Sequence, residues 1–196
     1  TSALAAGNRA LLKPSEFVPE TGALFSEVVP KYFPKDEVAV VTGGVDISQR
    51  FAELPFDHLL FTGSSNIGAK VMQSASKNLV PVTLELGGKS PVIIGRSAQL
   101  DLAGTRLTFG KLLNGGQLCL SPDYVVVPNE LEEQLIARVV QEEQAMYPNI
   151  TENEDYAGFI HEIHFARLQN SLSDDVPKGT EPHQVGQETK TDSEEH

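Results

Sequence analysis

The sequence predicts an α/β chain built on an open parallel sheet. Two observations carry this. Short continuous apolar runs such as Val-Ala-Val-Val at 38–41 have the length and β-branched composition of strands buried on both faces of a parallel sheet. Longer segments with helical spacing separate these runs, and alternation of that kind builds open sheets with right-handed crossovers.

Taken in order, residues 1–7 read as the last turns of a helix closed by Gly7, so a preceding segment is expected. The chain begins at Thr1 rather than methionine, which suggests a trimmed or partial reading frame. A short strand over 9–13 is stopped by Pro14, and Ser15 or Thr21 can cap a helix that runs to about Phe33. The strand at 38–41 ends near Gly43-Gly44. A short helix over 46–54, a strand over 58–61 and a helix over 65–77 follow. Strands at 82–86 and 92–94, a helix over 100–113, a strand at 124–127 and an acidic helix over 130–145 complete the pattern. Residues 177–196 are polar and nearly empty of large apolar side chains, which predicts a disordered tail from about 175 onward.

Composition narrows the function classes. A chain of 196 residues suffices for one well-buried core and a second small lobe. A net charge of −12 and a pI near 4.8 argue against nucleic acid or an anionic membrane as the main partner, since both need a basic face. The single cysteine excludes an internal disulfide and fits a reducing compartment. No apolar run is long enough to span a bilayer and the first residues do not read as a leader, so a cytoplasmic location is expected.

The chemistry concentrates between Thr83 and Cys119. Cys119 closes the loop Gly-Gly-Gln-Leu-Cys at 115–119, and Glu85 sits between two leucines ahead of Gly87-Gly88. A thiolate can attack an electrophilic carbon and a carboxylate can later take a proton from water. The same residues also read as a buried structural cysteine and an ordinary strand-end glutamate, because free cysteine is among the most buried residue types. Phe61-Thr62-Gly63-Ser64-Ser65 follows a strand and opens a helix, where backbone N–H groups and the helix dipole can meet a phosphate. It matches neither G-x-G-x-x-G nor a P-loop, and by pattern alone a glycine-closed strand-to-helix turn explains it better. His161 and His164 at i, i+3 fall short of the H-E-x-x-H zinc pattern, and no metal site is expected.

Phe-Thr-Gly-Ser-Ser at 61–65, Pro-Val-Thr-Leu-Glu-Leu-Gly-Gly-Lys-Ser-Pro at 81–91, Gly-Gln-Leu-Cys at 116–119 and Pro-Asp-Tyr at 122–124 together resemble the aldehyde dehydrogenase superfamily, most closely its coniferyl and fatty aldehyde dehydrogenase branch. The similarity runs from Thr1 to about Asp174. It implies a Rossmann-like sheet over 1–84, as part of a nicotinamide-nucleotide domain, and part of a catalytic domain over 85–174. It implies NAD or NADP as cofactor and a small-molecule aldehyde as substrate. By this resemblance Cys119 is the nucleophile and Glu85 the base that releases the acid. Gly63, Ser64, Leu86 and Gly87 lie by the cofactor, and Lys13 and Glu16 hold the adenosine ribose hydroxyls. Glu16 mildly favours NAD by repelling a 2′-phosphate.

The resemblance also marks departures. The family's Pro-x-Asn oxyanion donor, its Glu-x-Phe-Gly-Pro segment and its oligomerisation strand have no counterpart here, so an incomplete piece of a usually homo-oligomeric enzyme is expected. A cofactor-independent thiol esterase using Cys119 and Glu85, or an inactive binding fragment, are the alternatives.

Overall fold

The computed structural model describes residues 1–150 and 152–175; most of the predicted tail lies outside them. The chain divides into two compact units, Thr1–Leu86 and a second starting at Gly87.

The first unit holds α1 (Ser2–Ala5), β1 (Ala10–Leu12), α2 (Pro19–Tyr32), β2 (Val38–Val40), α3 (Val45–Ala52), β3 (Leu59–Gly63), α4 (Ser65–Ser76) and β4 (Val82–Leu86). α1 ends as its glycine predicts. Gly7 takes φ +76° and donates to Leu4 O at 2.9 Å, while Asn8 N–H donates to Ala3 O at 3.0 Å, which satisfies two terminal carbonyls. The start of α2 differs from the expectation, because neither Ser15 nor Thr21 caps it. The Ser15 hydroxyl accepts from Phe17 N–H at 3.2 Å in a local turn, and Thr21 lies inside the helix. Pro19 supplies the start instead, since its fixed φ is preset for a first helical turn and it has no N–H to satisfy.

Strands pair in parallel, β1 with β2 and β3 with β4, at registers that set Leu12 beside Val40 and Gly63 beside Leu86. Among the described residues these are separate two-stranded sheets rather than one continuous sheet. Burial follows from that. Val38 is buried, whereas Ala39, Val40 and Val41 are only half-covered, because a two-stranded sheet lacks the neighbours that enclose a central strand. The core of the unit forms where α3 and α4 meet β3 and β4. Ala52, Leu59, Ala75 and Val80 are buried, with Phe51, Phe56, Val71 and Val82 packed against them. The Phe51 and Phe56 rings sit 5.0 Å apart. Burial of a side chain such as Leu59 contributes about 1.5–3 kcal/mol.

The second unit holds β5 (Ser90–Ile93), α5 (Leu100–Leu112), a turn at Leu113–Gly116, β6 (Pro122–Val126), α6 (Asn129–Met146) and α7 (Glu162–Asp175). β5 and β6 are parallel with an irregularity between Ser90 and Pro91, which a strand proline invites because it cannot donate to the ladder. α5 packs on α6 through a close contact at Gly104, where a Cβ would come within 2.5 Å of Arg138 Cγ. Ile94, Thr108, Leu135 and Glu143 are buried in this unit. At the end of α6 the Tyr147 and Tyr156 rings meet edge-on at 5.1 Å. At the start of α7 the His161 ring accepts the Ile163 N–H at 3.2 Å, which occupies Nδ1 in a cap.

Candidate active site

The nucleophile loop is built by three consecutive left-handed residues. Asn114, Gly115 and Gly116 take φ of 54°, 60° and 73° straight after α5, a path that glycine follows without the Cβ penalty. The turn reverses the chain so that Leu118, Cys119 and Leu120 project before β6 begins. Cys119 is exposed, which removes the reading of a buried structural thiol. Ser121, buried, closes the loop by donating from its hydroxyl to Gly110 O at 3.4 Å.

Two residues ahead of the thiol, Gln117 uses both ends of its carboxamide. Nε2 donates to Asn114 O and to Gly158 O, each at 3.0 Å, and Oε1 accepts the Ile160 N–H at 3.0 Å. From the sequence Gln117, like Asn114, reads as a further polar contact or as a residue that holds the loop. Its two long-range partners lie 41 and 43 residues away and have no local signature.

Glu85 lies on β4, in register with Thr62 on β3. Strand alternation turns Leu84 and Leu86 inward and leaves Glu85 exposed. It belongs to the first unit and Cys119 to the second. On the same pair of strands, Leu86 packs over Gly68 of α4, where a Cβ would meet Leu86 Cδ2 at 2.8 Å. Gly63 is Leu86's register partner, and Ser64 caps α4 by accepting from Ile67 N–H at 3.3 Å. The Ser64 hydroxyl proton is not used in that bond. Gly87 has no positive φ, and a Cβ there would meet nothing within 4 Å.

Lys13 and Glu16 are brought together at the end of β1. Lys13 Nζ donates to Glu16 Oε2 at 3.0 Å and to Pro14 O at 2.6 Å, and its side chain is only 9% exposed. A hydrogen bond from its own backbone N–H, and then the Lys13 ammonium, hold the Glu16 carboxyl below its ordinary range. Beside it opens a cleft of about 380 Å³ lined by Pro14, Ser15, Glu16, Pro19, Gly22 and the 42–44 loop, near the lower end of the roughly 300–1,000 Å³ typical of small-molecule sites. The sequence reading assigned no role to Thr42, Gly43 and Gly44; the glycine pair closing a strand was their only signal. Among the described residues no cluster of three metal-ligating side chains occurs and no helix is long and apolar enough to cross a membrane.

Known proteins match this chain over most of its length. The model of the aldehyde dehydrogenase family matches residues 1–196. A probable coniferyl aldehyde dehydrogenase of Pseudomonas aeruginosa is 48% identical over 179 residues, which cover 91% of this chain and 38% of that protein. The substrate-bound Staphylococcus aureus AldH superposes with a TM-score of 0.83 at 39% identity, over 89% of this chain and 38% of that one. A Mycobacterium tuberculosis aldehyde dehydrogenase complexed with NAD+ gives a TM-score of 0.81 at 29% identity, over 93% and 40%. The chain thus spans 38% of the length of the Pseudomonas aeruginosa relative it matches over nearly its own full extent. The thiol on its left-handed loop, the strand-borne glutamate and the Rossmann-like strand-to-helix turn fall within a match that runs the length of the chain, which belongs to the aldehyde dehydrogenase family.

Proposed function

We propose that this chain supplies the nucleophile, the deacylating base and the adenosine-side contacts for NAD(P)-dependent oxidation of an aldehyde to a carboxylic acid. The observation that carries this is the exposed Cys119, the chain's one thiol, presented at the end of a glycine-built loop. The cofactor's fit is supported by the cleft beside Glu16. An ionised carboxylate accepts hydrogen bonds from ribose hydroxyls, and Glu16's own backbone N–H together with the nearly buried Lys13 favours that ionised form. Gly87 supports the same reading, since nothing among the described residues requires glycine there and a ligand approaching the backbone would.

The Cys119 thiolate attacks the aldehyde carbon; a C–S bond forms and the carbonyl electron pair moves onto oxygen, where the Cys119 backbone N–H is the proposed donor. A bound NAD(P)+ would supply the two-electron acceptor for the hydride lost from this carbon, which leaves Cys119 carrying the acyl group as a thioester. Glu85 then takes a proton from water as the water oxygen adds to the thioester carbon, and C–S cleavage releases the acid and the thiolate. The relatives named for coniferyl aldehyde make that aldehyde the first substrate to try.

The test is Glu85→Gln with coniferyl aldehyde and NAD. A single burst of NADH near one equivalent, without steady turnover, is expected, because acylation does not need the base and deacylation does. Unchanged steady turnover overturns the role of Glu85. Ester hydrolysis by the wild type with no NADH formed overturns the dehydrogenase reading in favour of a thiol esterase.

A further inference from the structure

We propose that Gln117 is a positioning residue, which orients the Cys119 thiol by locking its loop onto the segment at 157–160. This rests on the reading of Cys119 as nucleophile. The loop's own backbone is held on one side by Ser121, and its left-handed turn contains two glycines, the residue type with the most conformational freedom to lose. Gln117 is the side chain that ties the other side. Its Nε2 bridges Asn114 O within the loop and Gly158 O in the facing segment, while its Oε1 takes the Ile160 N–H. One carboxamide thus joins the loop to backbone on both flanks of Phe159.

The facing segment is itself anchored. Gly115 packs so closely beneath it that a Cβ would lie 2.7 Å from Ala157 O, and Phe159 contacts Phe165 on α7 with ring centroids 5.5 Å apart. The segment is therefore a support against which the loop is braced, and Gln117 is the brace. Glutamate at this position would put a negative charge against two carbonyl oxygens, and asparagine is one methylene shorter, so the geometry selects glutamine.

Loss of the brace leaves the thiol chemically competent but spread over more orientations. Small misplacement of a reacting group costs up to roughly a hundredfold in rate, whereas encounter with a small unoriented reagent hardly senses it. The experiment uses Gln117→Met, which keeps the bulk and removes the hydrogen bonds, with Gly158→Ala as a control, since a Cβ there meets nothing within 4 Å and the carbonyl remains. Three quantities are read: the NADH burst rate with aldehyde and NAD, the rate of Cys119 alkylation by iodoacetamide, and amide hydrogen exchange. For Gln117→Met we expect the burst to slow by about tenfold or more. Alkylation should stay within about twofold of wild type, and exchange at Ile160 and at 118–121 should quicken together by roughly fivefold or more. Gly158→Ala should match wild type in all three.

A parallel fall of burst and alkylation, an unchanged burst, or faster exchange confined to Ile160 each overturns the proposal. A wild type that shows no burst refutes the dehydrogenase reading alone, and the joint exchange at Ile160 and 118–121 still decides whether the brace exists.

Discussion

Replacing Gly115 by alanine should cost far more stability than the loss of one glycine's flexibility, and the structure supplies the terms. At φ +60° an L-residue incurs about 1–2 kcal/mol relative to its right-handed conformation. The new Cβ would also lie 2.7 Å from Ala157 O, closer than real Cβ contacts come. That oxygen is backbone and cannot rotate away, so the segment at 157–160 has to move, an overpacking cost of about 1–3 kcal/mol. The sum is about 2–5 kcal/mol, or roughly 4–20 °C in melting temperature at about 2–4 °C per kcal/mol for a chain of this size. Two other glycines calibrate it. Gly7→Ala carries the strain alone, as φ is +76° and its Cβ meets nothing, and the short terminal α1 can fray, so about 1 kcal/mol is expected. Gly87→Ala carries neither term and should stay within about 0.5 kcal/mol of wild type. Scanning calorimetry on the three variants, each read in the transition of its own unit, measures the ranking. Equal losses for Gly115→Ala and Gly7→Ala would show that the loop does not rest on Ala157 and would refute the packing argument.

Further outcomes follow from the site and the core. Cys119→Ala should abolish aldehyde oxidation and ester hydrolysis with an unchanged melting temperature, since the exposed thiol packs against no core; retained turnover would remove the nucleophile assignment. Glu16→Gln should weaken NAD binding by about tenfold or more, as expected for a lost hydrogen bond to a charged group, and narrow the preference for NAD over NADP; titration calorimetry with both nucleotides measures it. Because the Glu16 carboxyl is held below its ordinary range, wild-type binding should persist as pH falls through the usual carboxylate range and fail only as Glu16 protonates at its lowered value. Burial raises the pKa of Glu143, whose Oε2 has no hydrogen-bond partner among the described residues. The folded state therefore binds that proton more tightly than the unfolded chain, and its contribution is complete below the unfolded value and lost as pH rises through the folded one. Glu143→Gln, neutral at every pH, should melt higher than wild type near pH 8, with the difference closing toward pH 4. A constant difference across that range would mean that Glu143 is not the titrating group.

Much of the chain could be read before its structure was known, because the deciding interactions are local. The alternation of apolar runs and helical segments placed β1 to β6 and α1 to α6 within a few residues. Gly7 closing α1 and Ser64 opening α4 act through hydrogen bonds three to five residues along the chain, which a sequence displays directly. The order Phe-Thr-Gly-Ser, Glu-Leu-Gly-Gly, Gly-Gln-Leu-Cys made Glu85 and Cys119 candidates through resemblance to a family, since residue types alone left a structural cysteine and a strand-end glutamate equally open. The start of α2 was misjudged because two local signals competed there, and a proline that presets the backbone outweighed a serine that finds a nearer N–H to accept.

Tertiary structure decided what depends on distant partners. Strand order cannot be read from strand composition, so the separation into three two-stranded sheets among the described residues, and with it the partial exposure of β2, emerged only from the fold. The exposure of Cys119 was open for the same reason, since burial is a property of what surrounds a residue. The bracing role of Gln117 rests on Gly158 and Ile160, and the cleft at Glu16 on a glycine loop nearly thirty residues on, contacts of high sequence separation that leave no periodic trace. A sequence specifies such contacts only through the whole folded chain, because the entropy of closing the intervening loop is recovered only when many contacts form together.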